Sequence, residues 1–299
     1  MKFGMLASQI AKHLVVLSVW LLLGSVASAS AADEAAIARG AYLAAAADCD
    51  ACHTDKKAGT PPLSGGRAIV TPYGTFYGPN ITPDPVTGIG KWTETDFYRA
   101  MHEGKDLEGN YLYPVFPYTA FTKMTAGDVA DLYAFLMSRQ PVDRVSRPHE
   151  VKLLLRWRYI LIGWRKLFFT PGALTADPKQ SAEWNRGRYL AEAVVHCQEC
   201  HTPRNFLGGL ERDHAYAGNP HGPDGNEAPD ITADPRDGIG KWQLDDVIEV
   251  LKSGMTPDGD YVGQGMSDVV EGTSQLTDAD RHAIAVYIKS LAPLPQTAK

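Results

Sequence analysis

The sequence predicts an all-α chain in which two tandem copies of one small helical domain are joined by an amphipathic helical linker. Three observations carry this. Cys49-Asp50-Ala51-Cys52-His53 and Cys197-Gln198-Glu199-Cys200-His201 repeat one C-x-x-C-H motif and use every cysteine in the chain. The flanking segments match too: Arg39-Gly40-Ala41-Tyr42-Leu43 with Arg186-Gly187-Arg188-Tyr189-Leu190, and Gly88-Ile89-Gly90-Lys91-Trp92 with Gly238-Ile239-Gly240-Lys241-Trp242. Self-similarity at a long period means one unit used twice. Finally, apolar residues recur at helical spacing where each copy ends. The boundaries that follow are residues 1–31 for an export signal, 32–145 for the first domain, 146–180 for the linker and 181–299 for the second domain.

In chain order, Lys2 and Lys12 precede an apolar run from Leu14 to Leu23 and the small residues Ala27-Ser28-Ala29-Ser30-Ala31, the pattern of a cleaved signal peptide. The run is too short for the roughly 20 residues that span a bilayer. Each copy then opens with a helix that carries Tyr42 or Tyr189 and ends in the cysteine motif. A loop rich in Gly and Pro follows, with Pro61-Pro62, Gly65-Gly66 and Gly222-Pro223. Short helices are predicted over Thr93–His102 and Gln243–Lys252, closed by Gly104 and Gly254. Each copy finishes with a helix behind a capping-box variant, Thr125-Ala126-Gly127-Asp128 or Thr277-Asp278-Ala279-Asp280. The stripes Val129, Leu132, Tyr133, Leu136 and Ile284, Tyr287, Ile288, Leu291 then face inwards. Between the copies, Leu153, Trp157, Ile160, Leu161, Trp164, Leu167 and Phe168 share one helical face over 151–169, with Lys152, Arg156, Arg158, Arg165 and Lys166 off it. These cations argue against a membrane span. Such a helix packs between the two domains, docks on a partner subunit, or lies on an anionic membrane surface.

The chemistry is written in the motifs. C-x-x-C-H reads as covalent attachment of c-type haem, because thiols one helical turn apart can each form a thioether while the next imidazole falls under the iron. Two covalently bound haem c groups are therefore expected, on Cys49 and Cys52 with His53 as metal ligand, and on Cys197 and Cys200 with His201. A four-thiolate zinc site or a thioredoxin-like dithiol competes for the cysteines, and neither uses the histidines. Pro79 and Pro229 are candidates to offer carbonyls to the imidazoles, and Trp92 and Trp242 to bond a propionate or pack on the haem. A sixth ligand of Met type suits electron transfer. In the second copy, Met266 in the loop Gly263-Gln264-Gly265-Met266-Ser267 fills that role; its alternative is core packing. In the first copy Phe116 stands at that position, so either Met124 ligates the iron or the iron is open. Met124 also reads as the apolar residue before the Thr125 cap. Met101 and His102 align with Leu251 and Lys252 and read as a core Met and a surface His. A composition of 44% apolar and 21% charged residues, mean hydropathy -0.22 and net charge -6 excludes a disordered or multi-span chain and disfavours nucleic acid as a partner.

Taken with Asn80-Ile81-Thr82-Pro83-Asp84, Tyr113-Pro114-Val115-Phe116-Pro117-Tyr118, Gly163-Trp164-Arg165-Lys166-Leu167-Phe168-Phe169, Ser181-Ala182-Glu183-Trp184-Asn185-Arg186-Gly187 and Cys200-His201-Thr202-Pro203-Arg204-Asn205, the chain resembles the c-type cytochrome subunits of bacterial periplasmic dehydrogenases. These serve quinoprotein alcohol dehydrogenases and molybdenum hydroxylases. The resemblance implies class I cytochrome c-like domains, a periplasmic location, a dehydrogenase subunit as electron donor and a downstream acceptor such as quinone or an oxidase. Many relatives carry three haems, whereas here Lys299 follows the second motif; some have Met where Phe116 stands. Electron transfer without substrate conversion is the leading reading. Its rival is a dihaem enzyme of peroxidase type, or a ligand binder, using an open first haem; the segment from Tyr111 to Thr119 offers no distal acid or base for peroxide cleavage.

Overall fold

The computed structural model describes residues 33–294, so the expected export signal lies outside the described residues. Helix α1 spans 33–46, and after a left-handed turn at Asp48 the first motif forms α2 (Cys49–His53). The β-branched run Ile69-Val70-Thr71 next makes an antiparallel hairpin, β1 (Ala68–Thr71) and β2 (Gly74–Tyr77), with Thr71 opposite Gly74. Helix α3 (Glu94–Glu103) ends as expected at Gly104, which takes the left-handed cap at φ 57°, and it opens on a reciprocal capping box of Thr93 and Asp96 beyond those expected from the sequence. A short α4 (Tyr118–Phe121) leads to α5 (Ala126–Met137), whose Val129, Leu132 and Leu136 are buried.

The same order recurs in the second half. Helix α7 (Ala182–Tyr189) leads to the second motif in α8 (Gln198–His201), then α9 (Leu244–Ser253), α10 (Gln264–Thr273) and α11 (Asp278–Lys289). One difference is instructive. Seven positions separate Tyr42 from Cys49, but eight separate Tyr189 from Cys197. The extra residue is absorbed by a π turn at Leu190–Val194, the usual way a helix accommodates an insertion. Both opening helices cross the closing helix of their half at a glycine. A Cβ on Gly40 would lie 1.9 Å from the Asp131 carbonyl oxygen, and one on Gly187 would lie 1.9 Å from that of Ala283. No larger residue fits either crossing.

The halves do not keep separate interiors. One core cluster runs from Leu43, Met101 and Leu132 through Leu190 and Val194 to Ile284 and Ile288. A reciprocal pair of tyrosines ties it together. Tyr42 Oη donates to the Asp280 carboxylate at 2.6 Å and accepts from Thr277 N–H, while Tyr189 Oη donates to Asp128 and accepts from Thr125 N–H. Thr125 and Thr277 do cap their helices, but the carboxylates of Asp128 and Asp280 reach these tyrosines instead of closing a capping box. Lys123–Glu192, Lys56–Glu271 and Arg67–Asp224 pairs also cross between the halves.

The segment 151–169 departs from the expected single helix. Glu150–Val151 forms β3 on the hairpin, Leu153–Arg156 is a 3₁₀ turn, and only α6 (Ile160–Phe168) is α-helical. Its apolar face packs between the halves only in part: the Trp164 indole N–H donates to the Leu207 carbonyl at 3.0 Å and the Phe168 ring lies against Gly209 in the second half. Leu161 is buried in a small cluster with Phe76, Tyr113 and Val151, while Leu153, Trp157 and Leu167 are each at least 70% exposed. Among the described residues, no helix is long and apolar enough to cross a membrane.

Candidate functional site

Both cysteine motifs open onto one continuous cavity of about 1700 Å³, lined by residues of both halves. That exceeds the roughly 300–1,000 Å³ of a site for one ordinary small ligand. Its walls are mainly apolar: Ile89, Phe97, Phe116 and Leu132 in the first half, Ile239, Val247, Leu251 and Ile284 in the second.

Each motif is held in one way. His53 Nδ1 donates to the Pro79 carbonyl at 2.8 Å, and His201 Nδ1 to the Pro229 carbonyl at the same distance. A carbonyl only accepts, so the ring proton sits on Nδ1 and the lone pair of Nε2 is left for a metal. Burial lowers the proton affinity of both imidazoles and keeps them in this neutral form. Thr54 and Thr202 end the two motif helices in extended conformation, and their hydroxyls accept from Leu63 N–H and Tyr216 N–H, which anchors the loop behind each histidine.

No disulfide joins the four cysteines. Desolvation pushes Cys49 and Cys197 up to about 12 and Cys200 to about 11. A redox-active dithiol needs the opposite, a thiol held down by nearby positive charge. Among the described residues, no group of three or more His, Cys, Asp or Glu side chains converges to hold a metal ion, which removes the four-thiolate zinc alternative. What remains is a pair of thiols and one neutral imidazole, twice, at the edge of an apolar cavity. These donors fit haem c, with thioethers from the cysteines and an iron bond from each histidine.

The sixth-ligand candidates divide. Met266 lines the cavity as expected, although it lies in the first turn of α10 and not in a loop: Gly263 caps the helix, and its carbonyl accepts from Met266 N–H. Phe116 also lines the cavity, its ring 5.5 Å from that of Phe121. Met124 is not brought to the cavity; it is 0% exposed inside the core cluster and packs there, as its place before the Thr125 cap allows. Met101, read as a core residue, is buried but does form part of the cavity wall. His102 is no surface residue: it is buried, stacked on Tyr98 at 4.1 Å, with Nε2 unpartnered. Trp92 and Trp242 line the cavity in equivalent places.

Two features have no local signal in the sequence. Arg67 lies on the cavity wall and pairs with Asp224 at 3.1 Å and Asp268 at 3.6 Å in the other half, which nothing in Gly65-Gly66-Arg67 announces. Glu199, inside the second motif, is buried; burial alone would raise its proton affinity, but Arg204 and the Thr119 hydroxyl outweigh this and hold it ionised.

Comparison with known proteins agrees with this geometry. Residues 37–140 match the family model "Cytochrome c". The chain is 42% identical over 254 residues to a "Diheme cytochrome c-type" protein of Cereibacter sphaeroides, covering 84% of each chain. It is 40% identical to "Alcohol dehydrogenase (quinone), cytochrome c subunit" of Gluconacetobacter polyoxogenes, over 88% of this chain and 58% of the relative. It is also 40% identical to "Fructose dehydrogenase cytochrome subunit" of Gluconobacter japonicus, over 88% of this chain and 54% of the relative. The chain thus spans little more than half the length of these two dehydrogenase relatives. A fold of mostly helices, two haem-type motifs and identity of this extent place the chain in the family of c-type cytochromes, with covalently bound haem c, that includes the cytochrome subunits of dehydrogenases.

Proposed function

We propose that the chain is a periplasmic dihaem electron carrier, one haem on Cys49, Cys52 and His53 and a second on Cys197, Cys200 and His201, each half forming one cytochrome c domain. It takes electrons from a dehydrogenase subunit and passes them towards the respiratory chain. The observation that carries this reading is the single cavity shared by both motifs: Cys49, Cys52 and His53 line it from one half, and Cys197, Cys200 and His201 from the other. Haem supplies the reversible one-electron couple. The protein's part is to orient each imidazole through the Pro79 and Pro229 carbonyls, to keep water from the iron with apolar walls, and to hold the halves at fixed separation through the shared core. Met266 is the sixth ligand of the second iron in this reading. Dehydrogenase relatives in which a cytochrome subunit is named support a partner of that class.

The test is the haem content of the exported protein. Two haems per chain are expected, with one lost in a Cys49→Ser/Cys52→Ser variant and the other in Cys197→Ser/Cys200→Ser; one haem in the parent would sink the reading. Residues 151–169 are the surface through which the chain meets an anionic membrane. Trp157 is 71% and Tyr159 84% exposed beside the exposed cations Lys152, Arg156 and Lys166, and Phe206, 87% exposed, lies on the adjoining loop. Co-sedimentation with vesicles containing anionic lipid should fall several-fold in Trp157→Ser/Leu167→Ser. Unchanged binding would leave this surface to the dehydrogenase.

A further inference from the structure

We propose that the thioether of Met101 would serve, with His53, as a protein ligand of the first haem iron; this rests on the two-haem reading above. Phe97 and Met101 lie four residues apart on α3, so they share one helix face, and both are buried and both wall the cavity that holds His53. The equivalent positions in α9 are Val247 and Leu251, again buried and again on the cavity wall. The position that carries Met266 in the second half carries Phe116 in the first.

Each half therefore brings one thioether and one hydrocarbon to its cavity, in exchanged places: Met101 with Phe116, and Leu251 with Met266. A packing role alone does not ask for sulfur at position 101, since Leu251 does the same packing in the other half. The unbranched Met side chain, with three rotatable bonds, suits a ligand that approaches from the helix and not from the following segment.

Two other donors on the first half's wall, Tyr113 and His149, are already engaged. Tyr113 Oη donates to the Leu155 carbonyl at 2.7 Å. His149 Nδ1 accepts from Tyr77 N–H at 3.1 Å, which puts the ring proton on Nε2 and leaves no free lone pair. Met124 is sealed in the core away from the cavity. With His53 and Met101 both bound, the first iron would have no open site, which disfavours the open-haem alternative.

The experiment uses the haem-loaded full chain. Haem per chain is measured first, because a value of one overturns the two-haem reading independently of any ligand. Carbon monoxide binding to the reduced protein is then titrated in the parent, in Met101→Leu and in Met124→Leu. Leucine is the residue the second half carries at this place, so folding should be retained. The parent should bind carbon monoxide at neither haem, Met101→Leu at one haem of the two, and Met124→Leu at neither. The potential of the opened haem should fall, since a thioether favours ferrous iron. Met101→Leu/Phe116→Met, which copies the second half's arrangement, should close the site again. If Met101→Leu fails to load haem, the far-red charge-transfer band of Met-ligated ferric haem decides: Met266→Leu and Met266→Leu/Met124→Leu should each keep half of the parent's intensity, and loss of the band in either overturns the assignment. With two haems present, a closed Met101→Leu protein, or a parent that binds carbon monoxide at one haem, overturns the assignment.

Discussion

The reciprocal tyrosines predict that the two halves unfold as one. Tyr42→Phe removes the 2.6 Å bond to Asp280 and the one accepted from Thr277 N–H; Tyr189→Phe removes the matching pair on Asp128 and Thr125. A hydrogen bond to a charged group contributes about 1.5–3 kcal/mol. Asp280 keeps Arg186 at 2.7 Å, and all four acceptor and donor groups lie near solvent and can rehydrate. The expected loss is therefore about 1–2 kcal/mol for each variant. Arg186 bonds Asp280 and lies 5.9 Å over the Tyr189 ring, so the two sites couple, and the double variant should lose about 2–4 kcal/mol with a departure from additivity of about 0.5 kcal/mol or more. Urea unfolding of the haem-loaded protein, followed by tryptophan emission and by haem absorbance, measures it. Coincident transitions with an unchanged denaturant slope are expected. Two separate transitions in the parent, or a double variant within about 0.5 kcal/mol of it, would refute a shared core held by these contacts.

Other outcomes follow from the same contacts. Gly187→Ala places a Cβ 1.9 Å from the Ala283 carbonyl oxygen, and the backbones of α7 and α11 must part; a loss of about 1–3 kcal/mol or more should appear as a lower thermal midpoint, with Gly40→Ala behaving alike. Burial raises the proton affinity of Glu192, but Lys123, Tyr287 and Arg188 together hold it below the ordinary 4.5. Its folded value is the lower one, so its contribution is complete above 4.5 and is lost as pH falls through the folded value. Glu192→Gln should therefore destabilise at about pH 7, with a deficit that shrinks as the pH is lowered below 4.5, as equilibrium unfolding over a pH series will show; a constant deficit would contradict it.

Much of the fold was legible because its signals are local. Thr93 and Gly104 mark α3 within a residue; the stripes Val129–Leu136 and Ile284–Ile288 mark the closing helices. The hairpin was hidden because Ile69-Val70-Thr71 is short and sits among glycines and prolines, where a loop reads equally well. The segment 151–169 misled for a different reason. Its periodicity is helical, yet Glu150–Val151 completes the sheet and only α6 remains for the helix. At the site, the histidines and their proline carbonyls follow from motif and spacing. The choice between Met101 and Met124 does not, because both are apolar residues at helix-compatible places, and only the tertiary arrangement shows which one meets the cavity.

The exchanged contacts of Tyr42 and Tyr189 have the form of an interface between identical subunits. If Tyr42 and Tyr189 are one residue, and Asp128 and Asp280 another, each subunit gives its tyrosine to the other's aspartate, as twofold symmetry requires. The contacts between the halves thus have the exchanged form of a twofold interface, carried within one chain. Because the halves belong to one chain, they can differ where two identical subunits could not: a π turn lies on one side only, and Phe116 stands where the second half has Met266.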